Sequence, residues 1–314
     1  MNHCTDEYVL LSGKTIPPAD PIRFSNGRIV SLVSMFLNFT PRAITKAILD
    51  EVSVECALSR DRAYAECMAA ALDVGSDRSE REFIGRYFVP MVRELDPAVF
   101  ESDPYYRSIR IPEGKRGNWE FRSMELVPCE AFVCNDFLVT GDGRLIPQLG
   151  FFGRTYRYPA VLENGREWMT LMPNETVTTL PAVEKAHGKV LTYGLGLGYF
   201  VFHAVCKEDV SSVTVVEKSP DVIALFREFL LPQFPHPEKI RIVCEDAFSY
   251  AVNTAPSEKY DFVFADIWHD VGDGRELYLR FKELEPLSPK TEYTYWLEDS
   301  IRCYLARELW PPVG

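Results

Sequence analysis

The sequence predicts an α/β fold with a mainly parallel sheet in its C-terminal part, preceded by an α-helical segment and a small antiparallel β-sheet. Three observations predict it. From about residue 186, continuous apolar runs alternate with helical runs, the pattern of a parallel sheet covered on both faces. Between 118 and 172 the runs are short, aromatic and β-branched, and Asp-Gly and Asn-Gly turns join them. Between 28 and about 101 the apolar residues recur at helical spacing. These stretches set the expected regions: 1–117 mainly helical, 118–175 small antiparallel β, and 176–314 the parallel α/β unit.

In the first region, Thr40 reads as an N-cap and Pro41 as the first residue of a helix running through "PRAITKAILDEVSVECALSRDRAYAECMAAALD". "SEREFIGRYFVPMVREL" reads as a second amphipathic helix with a kink or break at Pro90. In the second region the turns fall at TGDGR (140–144) and ENGR (163–166). In the third, the strands are "KVLTYGL", "SVTVVEK", "KIRIVCE", "YDFVFADI" and "EYTYWLE", each followed by a helix.

Composition narrows the partners. The 314 residues are 46% hydrophobic and 25% charged, with a formal net charge of −12. A chain this acidic repels phosphate backbones, so no nucleic-acid partner is expected. The most apolar stretch, "IVSLVSMFLNF" (29–39), is short of the ~20 residues that span a bilayer, and the N-terminus lacks the basic and apolar blocks of a secretory signal. No membrane association is expected. The eight cysteines include no C-x-x-C pair, which argues for free thiols and a cytoplasmic setting.

The stretch "LTYGLGLGYF" (191–200) follows the first strand of the parallel unit. In such sheets ligands bind outside the carboxyl ends of the strands, and glycine lets a backbone approach a ligand closely. No Lys follows the glycines, which excludes a P-loop. A dinucleotide fingerprint requires a third small residue at Tyr199 or Val201, and neither is small. The spacing is G-x-G-x-G.

That loop resembles motif I of class I S-adenosylmethionine-dependent methyltransferases, and three further segments extend the resemblance in order over 188–270. Glu217 ends the second strand, where the family places an acid on the ribose hydroxyls. Asp246 in "CEDAF" matches the acid at the adenine amino group, with Ala247 beside the ring. Asp266 in "YDFVFADIWHD" matches the motif IV acid. The resemblance implies a Rossmann-like core that binds S-adenosylmethionine through Tyr193, Gly194, Gly196, Gly198, Glu217, Lys218, Asp246, Ala247, Asp266 and Trp268. "YPAVLENGREWMTLMPNETVTTLPAV" is similar to the hairpin and lead-in of spermidine synthase-like proteins, with Glu175 near the acid of that lead-in.

The chain departs from both relatives. Leu197 stands where aminopropyltransferases carry an acid in the loop, and their D-[ST]-x-D is here Asp266, Ile267, Trp268, His269. Thr192 replaces the acid that methyltransferases place two residues before the first glycine. Strands beyond the fifth are not evident, so the open sheet edge predicts cover by the N-terminal region or by a second subunit in a homodimer. The reading that results is methyl transfer to a small-molecule acceptor. Aminopropyl transfer from the decarboxylated cofactor and a non-catalytic nucleoside-binding protein remain as alternatives. Asp266 and His269 are the catalytic candidates, since His titrates near neutrality. Glu298 and Asp299 are secondary candidates at the end of the fifth strand. Asp266, His269, Asp270 and Asp273 also have the residue types of a metal site, but the Gly272–Gly274 turn favours loop acids and no metal is expected.

Overall fold

The computed structural model describes residues 10–11, 14–15 and 21–308. The helical region opens with α1 (Pro21–Phe39), α2 (Lys46–Glu55) and α3 (Arg60–Ala71). Thr40 is not an N-cap. Its N–H donates to the Phe36 carbonyl at 2.8 Å, which closes α1, and the Thr40 carbonyl accepts from Ala43 in a turn. The cap of α2 is Thr45, whose hydroxyl accepts from the Ile48 N–H. The single helix expected there is two, because Ala57 takes a positive φ of 52° and Ser59 caps α3 anew.

The next helix, α4 (Arg78–Phe83), passes into a π-helical turn at Ile84–Phe88 and ends with Val89–Met91. Pro90 has no N–H to offer the Arg86 carbonyl, and Arg144 Nη1 supplies a donor at 2.8 Å. Beyond the break the chain is extended, so "VREL" is not helical. It forms β1 (Val92–Leu95), parallel to the end of a later strand at Leu149–Phe152.

A short helix, α5 (Pro104–Ser108), leads to β2 (Gly114–Arg116), β3 (Trp119–Leu126), β4 (Phe132–Val139), β5 (Leu145–Phe152), β6 (Tyr156–Glu163) and β7 (Arg166–Thr170). These strands divide between two sheets, β1-β5-β4 and β2-β3-β6-β7. Helices α1 to α4 pack on the first sheet through Ile146, Leu149 and Phe151. The second joins the C-terminal core through Trp119, Phe121 and Val161. Asn164 and Gly165, at φ 55° and 79°, form the two-residue turn between β6 and β7, as a hairpin of this length requires.

The C-terminal unit comprises α6 (Pro173–Lys185), β8 (Gly188–Tyr193), α7 (Tyr199–Val205), β9 (Val210–Glu217), α8 (Pro220–Leu225), β10 (Ile240–Cys244), α9 (Ala247–Asn253), β11 (Phe262–Ala265), α10 (Val271–Leu284), β12 (Glu292–Tyr295) and α11 (Glu298–Glu308). Its five strands are parallel, in the order β10-β9-β8-β11-β12. Counting these strands from β8, that is 3-2-1-4-5, the order of a doubly wound Rossmann-like core. Val190 to Tyr193 and all of β11 are buried, as strands covered on both faces must be.

The hairpin turn supplies a test of the β region. Space around Gly165 is open, so Gly165→Ala meets only the cost of its positive φ. The expected loss is about 1 kcal/mol, read as a drop of a few degrees in Tm.

Candidate functional site

β8 lies between β9 and β11, so the strand order reverses at its carboxyl end. The loop 194–198 leaves that end. Gly194, Gly196 and Gly198 all have positive φ, at 98°, 48° and 75°. Their neighbours explain them further. A Cβ on Gly194 would collide with the Asp266 carbonyl, one on Gly196 with the Met169 sulfur, and one on Gly198 would sit 2.6 Å from the Phe226 ring. The glycines therefore answer to protein packing first, whereas the sequence pattern attributes them to close approach of a ligand.

Hydrogen bonds hold the loop on several sides. Gly194 N–H donates to the Val216 carbonyl and Gly198 N–H to the Leu195 carbonyl. Leu195 N–H donates to Glu217 Oε2 at 3.2 Å, and Leu197 N–H to Met169 Sδ at 3.1 Å. From the N-terminal side the Tyr105 hydroxyl donates to the Leu197 carbonyl at 2.6 Å. Asp103 accepts from the Tyr199 hydroxyl at 2.8 Å and pairs with His203 Nε2 at 3.2 Å, both on α7. Burial alone would raise the Asp103 carboxyl, but His203 and the Tyr199 hydroxyl outweigh it and hold it below its ordinary value.

The loop forms one wall of a cavity of about 270 Å³. Gly194, Gly196, Gly198, Glu217, Lys218, Asp246, Ala247, Asp266 and Trp268 all line it. They come from the carboxyl ends of four strands, β8, β9, β10 and β11. Glu217 also accepts from the Ser219 N–H at 2.8 Å. Burial nevertheless raises its carboxyl above the ordinary value. Asp246 caps α9 by accepting from the Ser249 N–H. Lys218 Nζ lies 5.7 Å from the Trp168 ring centroid and the Arg280 guanidinium 3.7 Å from that of Phe248, both within cation–π range. The Asp266 carboxyl lines the cavity, and loss of hydration pushes it up to about 7.

Two sequence-predicted residues fall elsewhere. Tyr193 does not line the cavity. Alternation along β8 sends its ring into the core, 4.9 Å from that of Phe281. His269 does not line it either. Its Nδ1 is 3.0 Å from Asp273 Oδ2 and its ring lies against Trp168, with centroids 3.9 Å apart. Asp270 and Asp273 form the capping box of α10, so the acids of this turn serve the helix terminus. Glu298 accepts from the Tyr278 hydroxyl at 2.8 Å, and at this strand end the cavity takes Trp296 instead.

Glu175, Thr179, Trp168, Met169, Trp296 and Arg280 also line the cavity. They were not assigned to the site from sequence. Glu175 had a signal, the lead-in it shares with spermidine synthase-like proteins. Trp168 and Met169 had none, because the register of the β6–β7 hairpin and its docking decide that they reach the loop.

No family model and no curated protein matches the chain. Among solved structures, spermidine synthase from Thermotoga maritima aligns at 17% identity over 41% of this chain and 60% of its own, with a TM-score of 0.32. The chain thus spans about three fifths of that enzyme's length. A precorrin 8W decarboxylase from Methanobacterium thermoautotrophicum aligns at 15% identity over 45% of this chain and 73% of its own, TM-score 0.30. An SAH-bound methyltransferase from Podospora anserina aligns at 15% identity over 37% and 47%, TM-score 0.29. The core is Rossmann-like. Strand order and register carry that statement.

Two outcomes are expected. Gly196→Ala should cost more than about 2 kcal/mol, combining backbone strain with the collision at Met169. Met169→Ala in the same chain should recover the collision part only, a coupling that a double-mutant cycle in urea would measure. The raised carboxyl of Asp266 sets a pH dependence. Its contribution to stability is fully present below its ordinary value of 3.8 and is lost as pH rises through about 7. Asp266→Asn should therefore match wild type near pH 4 and exceed it above pH 8 by roughly 2–4 kcal/mol, at about 1.4 kcal/mol per pKa unit.

Proposed function

We propose that the chain is an S-adenosylmethionine-dependent transferase that methylates a small-molecule acceptor. One observation carries the proposal: a positive-φ glycine loop, Glu217, Asp246 with Ala247, and Asp266 line a single cavity at the switch point of the sheet. The residues fit a sulfonium nucleoside by their chemistry. Glu217 offers acceptor oxygens for a diol, Asp246 an acceptor for an exocyclic amine, and Phe248 and the glycine loop apolar surface for a planar base. The cofactor, when bound, supplies an electrophilic methyl group.

The chain's own residues orient the reactants and exclude water, which favours an in-line displacement. Asp266, held near 7, is matched to accepting a proton from an oxygen or nitrogen acceptor at physiological pH. His269 has no such role in this reading, since it stands outside the lining. Aminopropyl transfer is a second reading, favoured by Glu175, which brings an acid from the lead-in helix into the cavity lining.

Calorimetric titration with S-adenosylmethionine, its decarboxylated form and NAD separates these readings. The expected result is binding of S-adenosylmethionine, weakened at least ~10-fold, or about 1.4 kcal/mol, in Glu217→Ala. Preference for the decarboxylated form would move the assignment to aminopropyl transfer. Binding of NAD alone, or of none of the three, would overturn the cofactor.

A further inference from the structure

Leu197 is fully buried in the glycine loop, and a buried carbonyl needs a donor. The Tyr105 hydroxyl supplies it at 2.6 Å, from 92 residues earlier in the chain, and no other described group donates to that oxygen. Tyr105 is itself buried. Loss of hydration raises its hydroxyl far above the ordinary value, so it stays protonated and remains a donor.

The same short stretch grips the far side of Gly198. Asp103 Oδ2 accepts from the Tyr199 hydroxyl at 2.8 Å, and Oδ1 lies 3.2 Å from His203 Nε2. Oδ1 also accepts from the Tyr105 N–H at 2.8 Å, so one carboxylate orients both contacts. The Tyr105 ring packs between them, its centroid 5.6 Å from that of Tyr199 and 5.2 Å from that of Phe202.

The loop needs such a hold. Leu197 stands between Gly196 and Gly198, both at positive φ, and glycine opposes rotation of the adjoining peptides least of all residues. The Gly198 N–H bonds within the loop, to the Leu195 carbonyl. Among the described residues, the only bond from the Leu197–Gly198 peptide to a partner outside the loop is therefore the one to Tyr105. Gly196, Gly198 and Tyr199 line the cavity, whereas Tyr105 and Asp103 do not. The Gly196 N–H has no partner among the described residues and is the loop's free donor.

We propose that Tyr105 is a positioning residue. Its hydroxyl fixes the Leu197–Gly198 peptide from behind and so holds the cavity side of the glycine loop in the form that receives a ligand. The proposal deepens the function given above and rests on that reading only for the choice of nucleoside probe.

The test compares three full-length chains: wild type, Tyr105→Phe and Tyr64→Phe. Tyr105→Phe removes the hydroxyl and keeps the ring. Tyr64→Phe is the control, because it removes an equivalent buried bond, from the Tyr64 hydroxyl to the Cys129 carbonyl at 2.9 Å, in the helical core. Amide hydrogen exchange is measured without ligand, and S-adenosylhomocysteine binding by calorimetry. In Tyr105→Phe, exchange over 194–199 is expected to rise ~10-fold with β11 unchanged. S-adenosylhomocysteine should bind that variant ~10-fold more weakly. Tyr64→Phe should leave loop exchange and affinity within about 2-fold of wild type. A merely structural role would lower the stability of both variants and would not single out the loop. Unchanged loop exchange in Tyr105→Phe, a rise shared equally by β11, or the same changes in Tyr64→Phe overturns the positioning role. So does faster loop exchange with unaltered affinity. If wild type does not bind S-adenosylhomocysteine, the cofactor reading falls and the exchange comparison alone decides the positioning role. Should Tyr105→Phe not fold, Asp103→Asn, which weakens the grip on Tyr199 and His203, stands in, and the same loop-confined rise is required.

Discussion

The steric fit around the glycine loop is the constraint on which the site depends. Three backbone positions with positive φ are packed against the Asp266 carbonyl, the Met169 sulfur and the Phe226 ring. Each contact comes from a different element: the end of β11, the hairpin strand β7, and the helical segment after β9. A side chain at Gly194 would meet backbone just beyond β11, one at Gly196 the Met169 side chain, and one at Gly198 the Phe226 and Phe234 rings. The loop therefore joins the two halves of the sheet to the small β-sheet that precedes it, and the cavity exists because these parts meet there.

The N-terminal region is tied to the same loop. Tyr105 is buried with its hydroxyl on the Leu197 carbonyl, and its ring packs edge-on against Phe202 and Phe234. Asp103 holds Tyr199 and His203 on the helix that leaves the loop. Buried, charge-assisted hydrogen bonds are among the stronger polar contacts a protein makes, and breaking one partner strands the other. Residues 103–111 thus belong to the core of the C-terminal unit in packing, through Tyr105, Ile109 and Ile111, although they precede it by a whole β region in the chain.

Much of the site was legible in the sequence because its residues sit at the ends of strands. Glu217, Asp246 and Asp266 each follow an apolar run directly, and a parallel sheet brings all such ends to one edge. His269 stands four residues beyond β11, but the acid it meets, Asp273, is one helical turn onward and draws it to the N-terminus of α10. Tyr193 shares a strand end with the loop, yet side-chain alternation turns it into the core. Proximity in the chain identified the right edge of the sheet and could not identify the direction of each side chain.

The sequence by itself determined the alternation of strands and helices, the hairpin at Asn164–Gly165 and the acids at the strand ends. These are local properties, set by periodicity, by backbone φ and by the residues that follow each strand. Tertiary structure alone decided that the strands of the β region divide into two sheets, that Val92–Leu95 leaves the helix after Pro90 to pair with Leu149–Phe152, and that Glu175, Trp168, Met169 and Trp296 line one cavity with Asp266. Those outcomes depend on docking between segments distant in the chain. Their relative placement is set by the packing of whole faces, and no short window of sequence contains it.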